Sequence, residues 1–334
     1  MEKEKFALPE DMPYRPKHII DFHTHFGDIF HENRNIAWKR PGIQANPPEY
    51  DGVDPFRDCE ESGYEHPLIV PDEAAQNKLI DAGQVRIWQR ANIFTTQDVM
   101  DAAGVDYWCS MPIMPNTSFE ECLAWSKMNP SVIPWTCPDF DLPDDEMMEK
   151  LKQDISNGAK GLKIHPIIQN ISITDPRCKG PIELFGELGL PITYHCGIND
   201  YYKKSSPFHK LTNLELGDLK YTLEILAEYP DFVWIPAHGG GSCGGELEAL
   251  AEIVEKRGCK NVYVECSHRA VEGMHQMLEL FGEDRIMYAD DWPFDTTTWI
   301  VYYAAKAFAD KPEVADKFFW KNAARILGMT ELLA

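Results

Sequence analysis

The stretch His18-Ile19-Ile20-Asp21-Phe22-His23-Thr24-His25 decides how the rest of this 334-residue chain is read. An apolar run opens it, and alternate residues of a strand point to the same face. His23 and His25 therefore project together from the end of one strand. Two imidazoles sharing a face suit a zinc-like cation, for which neutral imidazole is a favoured ligand. Read alone, the pair is equally well a couple of hydrogen-bonded core histidines. What lies downstream separates the two readings.

Seven further β-rich runs follow: residues 105–109, 132–136, 161–165, 191–195, 232–238, 261–266 and 285–290. Amphipathic stretches predicted as helices lie between them, among them 144–157, 217–229, 244–257 and 270–281. In the third, Leu247, Leu250, Ala251 and Val254 recur at the three-and-four spacing of a buried helix face. Strands alternating with helices imply parallel pairing, because parallel strands need a crossover. Eight such units predict an α/β fold of the (β/α)8 TIM-barrel type, with a doubly wound open sheet as the competing architecture.

The barrel is favoured by what sits at the strand ends. His165, His195 and His238 close the fourth, fifth and sixth runs, and Asp290-Asp291-Trp292-Pro293 closes the eighth. Barrel enzymes place their chemistry at that end. Five of the 11 histidines fall there, which a solvated surface does not explain. Residues 27–94 break the rhythm, being rich in Pro, Gly, Asn and charge. A loop of that length is functional or carries its own short helices. It is read as an insertion after strand one that caps the barrel mouth, with 68–88 partly helical. No repeat or linker divides the chain, so 1–334 is expected to be a single domain.

Composition narrows the partners. Charge is 32 basic against 54 acidic residues, a net −22. Such a surface repels phosphate backbones and anionic headgroups, which argues against nucleic-acid and membrane partners. The first residues lack the apolar run of a signal peptide. Nine cysteines without any C-x-x-C pair read as reduced thiols, so a cytoplasmic setting is expected. The Gly240-Gly241-Ser242-Cys243-Gly244 stretch matches a nucleophile elbow, but Asp284, Asp290, Asp291 and Asp295 all follow the last histidine, His275, and a Glu265–His268 pair, which could formally serve, would be unusual. Its glycines are better read as backbone approaching a substrate.

The segments Ile-Ile-Asp-Phe-His-Thr-His-Phe-Gly (19–27), Gly-Leu-Lys-Ile-His-Pro (161–166), Tyr-His-Cys-Gly (194–197), Ala-His-Gly-Gly-Gly (237–241) and Ala-Asp-Asp-Trp-Pro-Phe (289–294) occur in this order. Together with Lys321 to Gly328 they resemble the amidohydrolase superfamily, in particular its amidohydrolase-2 branch of hydrolases and nonoxidative decarboxylases. The resemblance implies metal ligation by His23, His25, His195 and Asp291, and places His238 beside the metal to assist proton transfer or contact substrate. Asp291 is preferred to Asp290 because it matches the branch's Asp-x-Pro. Asp290 is expected to cap the next helix. In binuclear members a carbamylated lysine bridges two metals, and Lys163 falls near that position; the single-metal reading is preferred. His165, Arg269 and Trp292 are expected to bind substrate, with Arg269 gripping a carboxylate. Tyr201, Tyr202 and Lys203 are weaker candidates for the mouth.

The site so assembled predicts one divalent metal ion, Zn2+ by its donor set, with Mn2+, Fe2+ or Co2+ as alternatives. The first functional reading is a hydrolase in which a metal-activated water attacks an ester, lactone or amide, with Asp291 moving the proton. The second is a nonoxidative decarboxylase of a small carboxylic acid, for which Trp38, Tyr50, Phe56 and Trp88 of the insertion suggest an aromatic one. The third is a silent metal- or ligand-binding barrel. A small-molecule substrate is expected in the first two, and a homodimer is implied by the resemblance alone.

Overall fold

The strands are short, apolar and buried on both faces, the pattern of parallel strands sandwiched between side-chain layers. The structure, a computed structural model, describes residues 7–31, 50–63, 70–241 and 246–334. Its strands are β1 (Ile20–Thr24), β2 (Tyr107–Ser110), β3 (Val132–Pro134), β4 (Leu162–Ile164), β5 (Ile192–Tyr194), β6 (Trp234–Pro236), β7 (Val264–Glu265) and β8 (Ile286–Met287). All eight lie within the predicted runs or overlap them by most of their length.

Neighbours β1 to β3, β4 to β6, and β7 with β8 pair in parallel. Parallel bridges Thr136↔Leu162 and Trp234↔Val262 join these groups. The last seam closes where the Phe22 amide donates to the Tyr288 carbonyl at 3.1 Å and the His25 amide to the Trp292 carbonyl at 2.7 Å. An open doubly wound sheet would leave β1 and β8 apart. The ring is closed, and the fold is a (β/α)8 barrel.

The helices of the insertion and the barrel wall are α1 (Pro55–Glu61), α2 (Glu73–Arg90), α3 (Ile93–Ala103), α4 (Phe119–Met128), α5 (Asp144–Ser156), α6 (Pro176–Glu187), α7 (Leu219–Glu228), α8 (Glu246–Arg257), α9 (Val271–Phe281) and α10 (Thr297–Ala307), and short helices follow to the C-terminal end. From α3 onward, one helix follows each strand. Local chemistry sets their ends. Asn92 caps α3 and Gly104 closes it in a left-handed turn, while Ser118 and Glu121 form a reciprocal capping box on α4. Trp108, Trp135, Trp234 and Phe22 fill the core. Gly161 is dictated by that packing, since a Cβ there would sit 2.5 Å from the Trp135 ring. Among the described residues no helix is long and apolar enough to cross a membrane.

The described part of the insertion carries two helices, α1 and α2. Asp72 caps α2, which runs from Glu73 to Arg90, past the predicted end at Trp88. The insertion ends two residues before the predicted boundary, because Ile93 and Phe94 already belong to the barrel helix α3. Trp38 and Leu68 lie outside the described residues. The Arg86 guanidinium links α1 and α2 to the barrel. Arg86 is buried, bonding Asp54 at 2.8 Å, Glu60 at 2.7 Å and the Phe294 carbonyl. Glu60 in turn accepts the Thr296 amide at 2.8 Å. The cap helices are thereby fixed to the segment that follows β8.

Candidate metal centre and active site

His23 and His25, on alternate positions of β1, bring their Nε2 atoms to 3.1 Å of each other. The Nδ1–H of His25 donates to the Met111 carbonyl at 2.8 Å, which leaves its Nε2 lone pair facing inward. The Nδ1 of His23 lies 3.3 Å from Glu265 Oε1, so its Nε2 is likewise the unprotonated nitrogen facing inward. Second-sphere partners of this kind fix the tautomer of a metal-ligating histidine. Asp291 Oδ1 lies 3.3 Å from one Nε2 and 3.5 Å from the other, is buried, and accepts no hydrogen bond.

Two opposed lone pairs and an orphaned carboxylate oxygen are an unfavourable arrangement for a protein alone. The same three atoms converge as the ligands of one cation would. Imidazole and carboxylate are an ordinary donor set for a divalent transition metal. The residues present fit a metal ion. Burial pushes His25 down to about 4, and Lys163 and His23 add to that against Asp291, so the ring is neutral and able to ligate at neutral pH.

Lys163, on β4, places its Nζ 2.8 Å from His23 Nε2. Burial lowers its pKa to about 8, opposed by the negative charges of Asp291 and Glu265. His195 lines the same pocket but stands outside the three-atom cluster. Its Nδ1 is 3.2 Å from His238 Nε2, its Nε2 is 2.8 Å from the Tyr201 hydroxyl, and its ring stacks on His165 at 4.3 Å. The pocket is lined by His165, His195, His238 and Lys163 together with Ile29, Phe30, Phe56, Leu79, Ile80, Gly83, Ile113, Tyr201 and Phe294. His238 also bonds Ser267 Oγ through Nδ1 at 2.6 Å.

Two expected substrate contacts are not in that lining. The Arg269 guanidinium turns onto backbone, donating to the His238 carbonyl at 2.5 Å and the Gly241 carbonyl at 2.9 Å. It braces the β6 loop and does not grip a carboxylate in the pocket. Trp292 is fully buried, its indole N–H bonding Thr96 Oγ1 at 2.9 Å. Asp291, at a left-handed φ of +52°, turns into the pocket, and the chain beyond it carries Trp292 against helix α3. Asp290 accepts the Trp292 amide at 2.8 Å, stabilising the turn, whereas Thr296 occupies the cap of α10. Of the mouth candidates, Tyr201 lines the pocket, Tyr202 donates to the Phe30 carbonyl and Lys203 pairs with Asp81. Ser242 and Cys243 lie outside the described residues.

Other site residues emerge only in three dimensions. Glu265 accepts the His238 amide at 2.6 Å and the Ser267 amide at 2.8 Å besides facing His23. Burial alone would raise its carboxyl; the hydrogen bond and charge attraction of His23, then the His238 amide and Ser267, outweigh it and hold it at about 2. His268 is wedged between carboxylates, Nε2 to Asp291 Oδ2 and Nδ1 to Asp295 Oδ1, each at 3.0 Å. Burial disfavours its charge, but Asp295 and Asp291 raise it well above the usual histidine range, so the ring is an imidazolium. A charged residue interrupting the apolar run Val262-Tyr263-Val264 is the sequence signal that would have found Glu265. Nothing in the sequence announces Asp295.

A closed barrel with a histidine–aspartate cluster at the carboxyl ends of β1 and β8, under helical cover, is an arrangement able to hold a metal ion where barrels carry their sites. An amidohydrolase family model matches residues 20–329, and the chain belongs to that family, which is metal-dependent and contains hydrolases and decarboxylases. Among solved structures it is similar to 5-carboxyvanillate decarboxylase from Novosphingobium aromaticivorans, complexed with manganese and 4-hydroxy-3-methoxy-5-nitrobenzoic acid (15% identity, 97% of this chain and 98% of that one, TM-score 0.59). It is also similar to 2,6-dihydroxybenzoate decarboxylase from Rhizobium (13%, 94% and 99%, TM-score 0.62). A third is a probable 2-pyrone-4,6-dicarboxylic acid hydrolase from Acinetobacter baumannii (13%, 93% and 99%, TM-score 0.54). No curated protein sequence matches significantly.

Proposed function

We propose that this protein is a metal-dependent nonoxidative decarboxylase of an aromatic carboxylic acid. The observation that carries the reading is the pairing of two surfaces in one pocket: the His23–His25–Asp291 cluster and a wall of Phe30, Phe56, Phe294, Ile29 and Ile113. Apolar aromatic walls with a few convergent polar groups suit a planar organic acid. The aromatic acids named for two of the similar structures agree with this choice.

His23, His25 and Asp291 would hold one divalent cation, with His195 as a further ligand from the resemblance. When bound, the cation supplies Lewis-acid charge that attracts and orients an anionic substrate. Lys163 and His165 present polar groups to the substrate carboxylate. The reaction needs one proton at the ring carbon that carries the carboxyl group. His268 Nε2 holds that proton against Asp291 Oδ2. After its transfer the carbon–carbon bond breaks, its electron pair restores the ring, and carbon dioxide leaves. Burial of the pocket keeps bulk water from competing for the proton.

Hydrolysis is the second reading, favoured by the row of His165, His195, His238 and the Tyr201 hydroxyl. These groups offer hydrogen-bond partners for an oxyanion developing on an ester, lactone or amide. Carbon dioxide release over hydroxybenzoates, with one solvent deuterium found on the product ring carbon, is the expected result with Mn2+- or Zn2+-loaded protein. Turnover of lactones or amides with incorporation of labelled water, and no carbon dioxide, overturns the first reading in favour of the second. Tight metal binding without turnover of either panel would leave only a silent binding barrel.

A further inference from the structure

Gly83 sits in the interior of the 18-residue helix α2, a position where glycine is the poorest residue apart from proline. Its backbone is helical, so no left-handed conformation requires it. Packing does not require it either. A Cβ there would meet Phe294 at 3.5 Å and Phe56 at 3.8 Å, which is ordinary contact. Gly161 and Gly186 differ, because a Cβ at either would lie within 2.5 Å of an aromatic ring. Yet Gly83 is buried and lines the pocket beside those two phenylalanines, whose rings contact each other with centroids 5.9 Å apart. The slot lies beside the proton-holding pair, since Phe56 is 6.2 Å from the His268 ring and the Phe294 amide bonds the Asp291 carbonyl at 3.0 Å.

We propose that Gly83 determines specificity: its missing side chain leaves a slot in the pocket wall, beside Phe56 and Phe294, that takes the apolar edge of the substrate ring and rejects a second carboxylate. The inference rests on the reading of this pocket as the site of an aromatic acid, and it narrows that reading to monocarboxylates. The charge balance of the slot supports the rejection. Leu79 and Ile80 precede Gly83 on the same helix and also face the pocket. Arg86, the nearest cation along the helix, is held by Asp54, Glu60 and the Phe294 carbonyl. Among the described residues lining the pocket there is no arginine, and Lys163 is bonded to His23. His268, the imidazolium beside the slot, already bonds Asp291 and Asp295 through its two ring nitrogens, so a carboxylate carried there would be buried against those two carboxylates with no free donor.

Calorimetric titration of the full chain in Mn2+ tests this with benzoate, 2-naphthoate, isophthalate, benzamide and 2-naphthamide. Gly83→Ala should melt no lower than the parent, and Gly83→Val should weaken the naphthyl probes relative to the phenyl ones by roughly tenfold or more. In the parent, isophthalate should bind roughly tenfold or more weakly than benzoate. A naphthyl-to-phenyl ratio unchanged by Gly83→Val in both the acid and amide pairs overturns the slot. So does a lowered melting temperature for Gly83→Ala, isophthalate binding equal to benzoate, or no binding of any probe. The amides read the slot without reference to decarboxylation, so failure of that chemistry and failure of the slot are told apart.

Discussion

Replacing Asp291 by Asn tests the metal cluster most directly. In the folded chain the Asp291 carboxylate supplies one buried oxygen, Oδ1, that accepts no hydrogen bond and lies 3.3 Å from His25 Nε2. A cation bound there stabilises only the folded state, by about 4 kcal/mol when its concentration is about 1,000 times Kd. For 334 residues at ~2.1 cal/mol/K per residue, the unfolding entropy is roughly 0.7 kcal/mol per degree. Metal should therefore raise the melting temperature by about 6 °C. Loss of the one anionic ligand is expected to weaken binding at least ~100-fold, the upper range for even a supporting partner. That removes about 2.7 kcal/mol of the 4, leaving a rise of about 2 °C at the same metal concentration. His268 keeps Asp295 at 3.0 Å, so the variant should fold. Melting curves with and without Mn2+ and Zn2+, read beside metal content, give the answer. An Asn variant that gains the full ~6 °C would refute the cluster.

Glu265→Gln should remove an acid-sensitive contribution: the native carboxyl at about 2 stabilises fully above the unfolded value near 4.5 and loses this as pH falls through about 2. The parent should therefore lose about 3 kcal/mol more than the variant between pH 5 and 2 in urea titrations, and parallel curves would count against the assignment. Arg86→Met leaves Glu60 and Asp54 without their cation and should cost about 3–5 kcal/mol by denaturant midpoint, a loss under ~1 kcal/mol excluding it as the anchor of the cap. Gly161→Ala forces a methyl to 2.5 Å from Trp135 and should cost about 1–3 kcal/mol, whereas an unchanged midpoint would mean that the ring yields freely. Native metal content should be one ion per chain; two ions with a carbamylated Lys163 in the mass spectrum would replace its role as an ammonium.

The barrel was legible because its strands are buried on both faces, so each reads as an apolar run without alternation, and because α5, α7, α8 and α9 keep helical spacing between them. The strand order followed from chain order, since parallel neighbours joined by single helices leave little topological choice. His23 and His25 were legible for the same reason: period-two alternation needs no tertiary information. Arg269 and Trp292 were placed in the pocket by proximity in sequence to β7 and β8. Their side chains instead serve the loops, one bracing the carbonyls of His238 and Gly241, the other filling space against Thr96.

What resisted reading lies where the backbone leaves the strands. His238, His268 and Asp291 adopt φ of +59°, +59° and +52°, a left-handed region that costs a non-glycine residue energy. All three line the pocket, and the fourth such residue described, Asn170, does not. Strand alternation cannot forecast a side chain after such a reversal. The Glu265 carboxylate holds the His238 amide and Asp295 holds the His268 amide, at 2.6 and 2.7 Å. Buried carboxylates thus support two of the strained turns that carry the polar groups of the pocket, and the same carboxylates fix the charge of His268 and the tautomer of His23. Position and protonation share one set of bonds. A variant that loosens either carboxylate should disturb geometry and proton inventory together, which is why Glu265 and Asp295 rank beside the metal cluster itself.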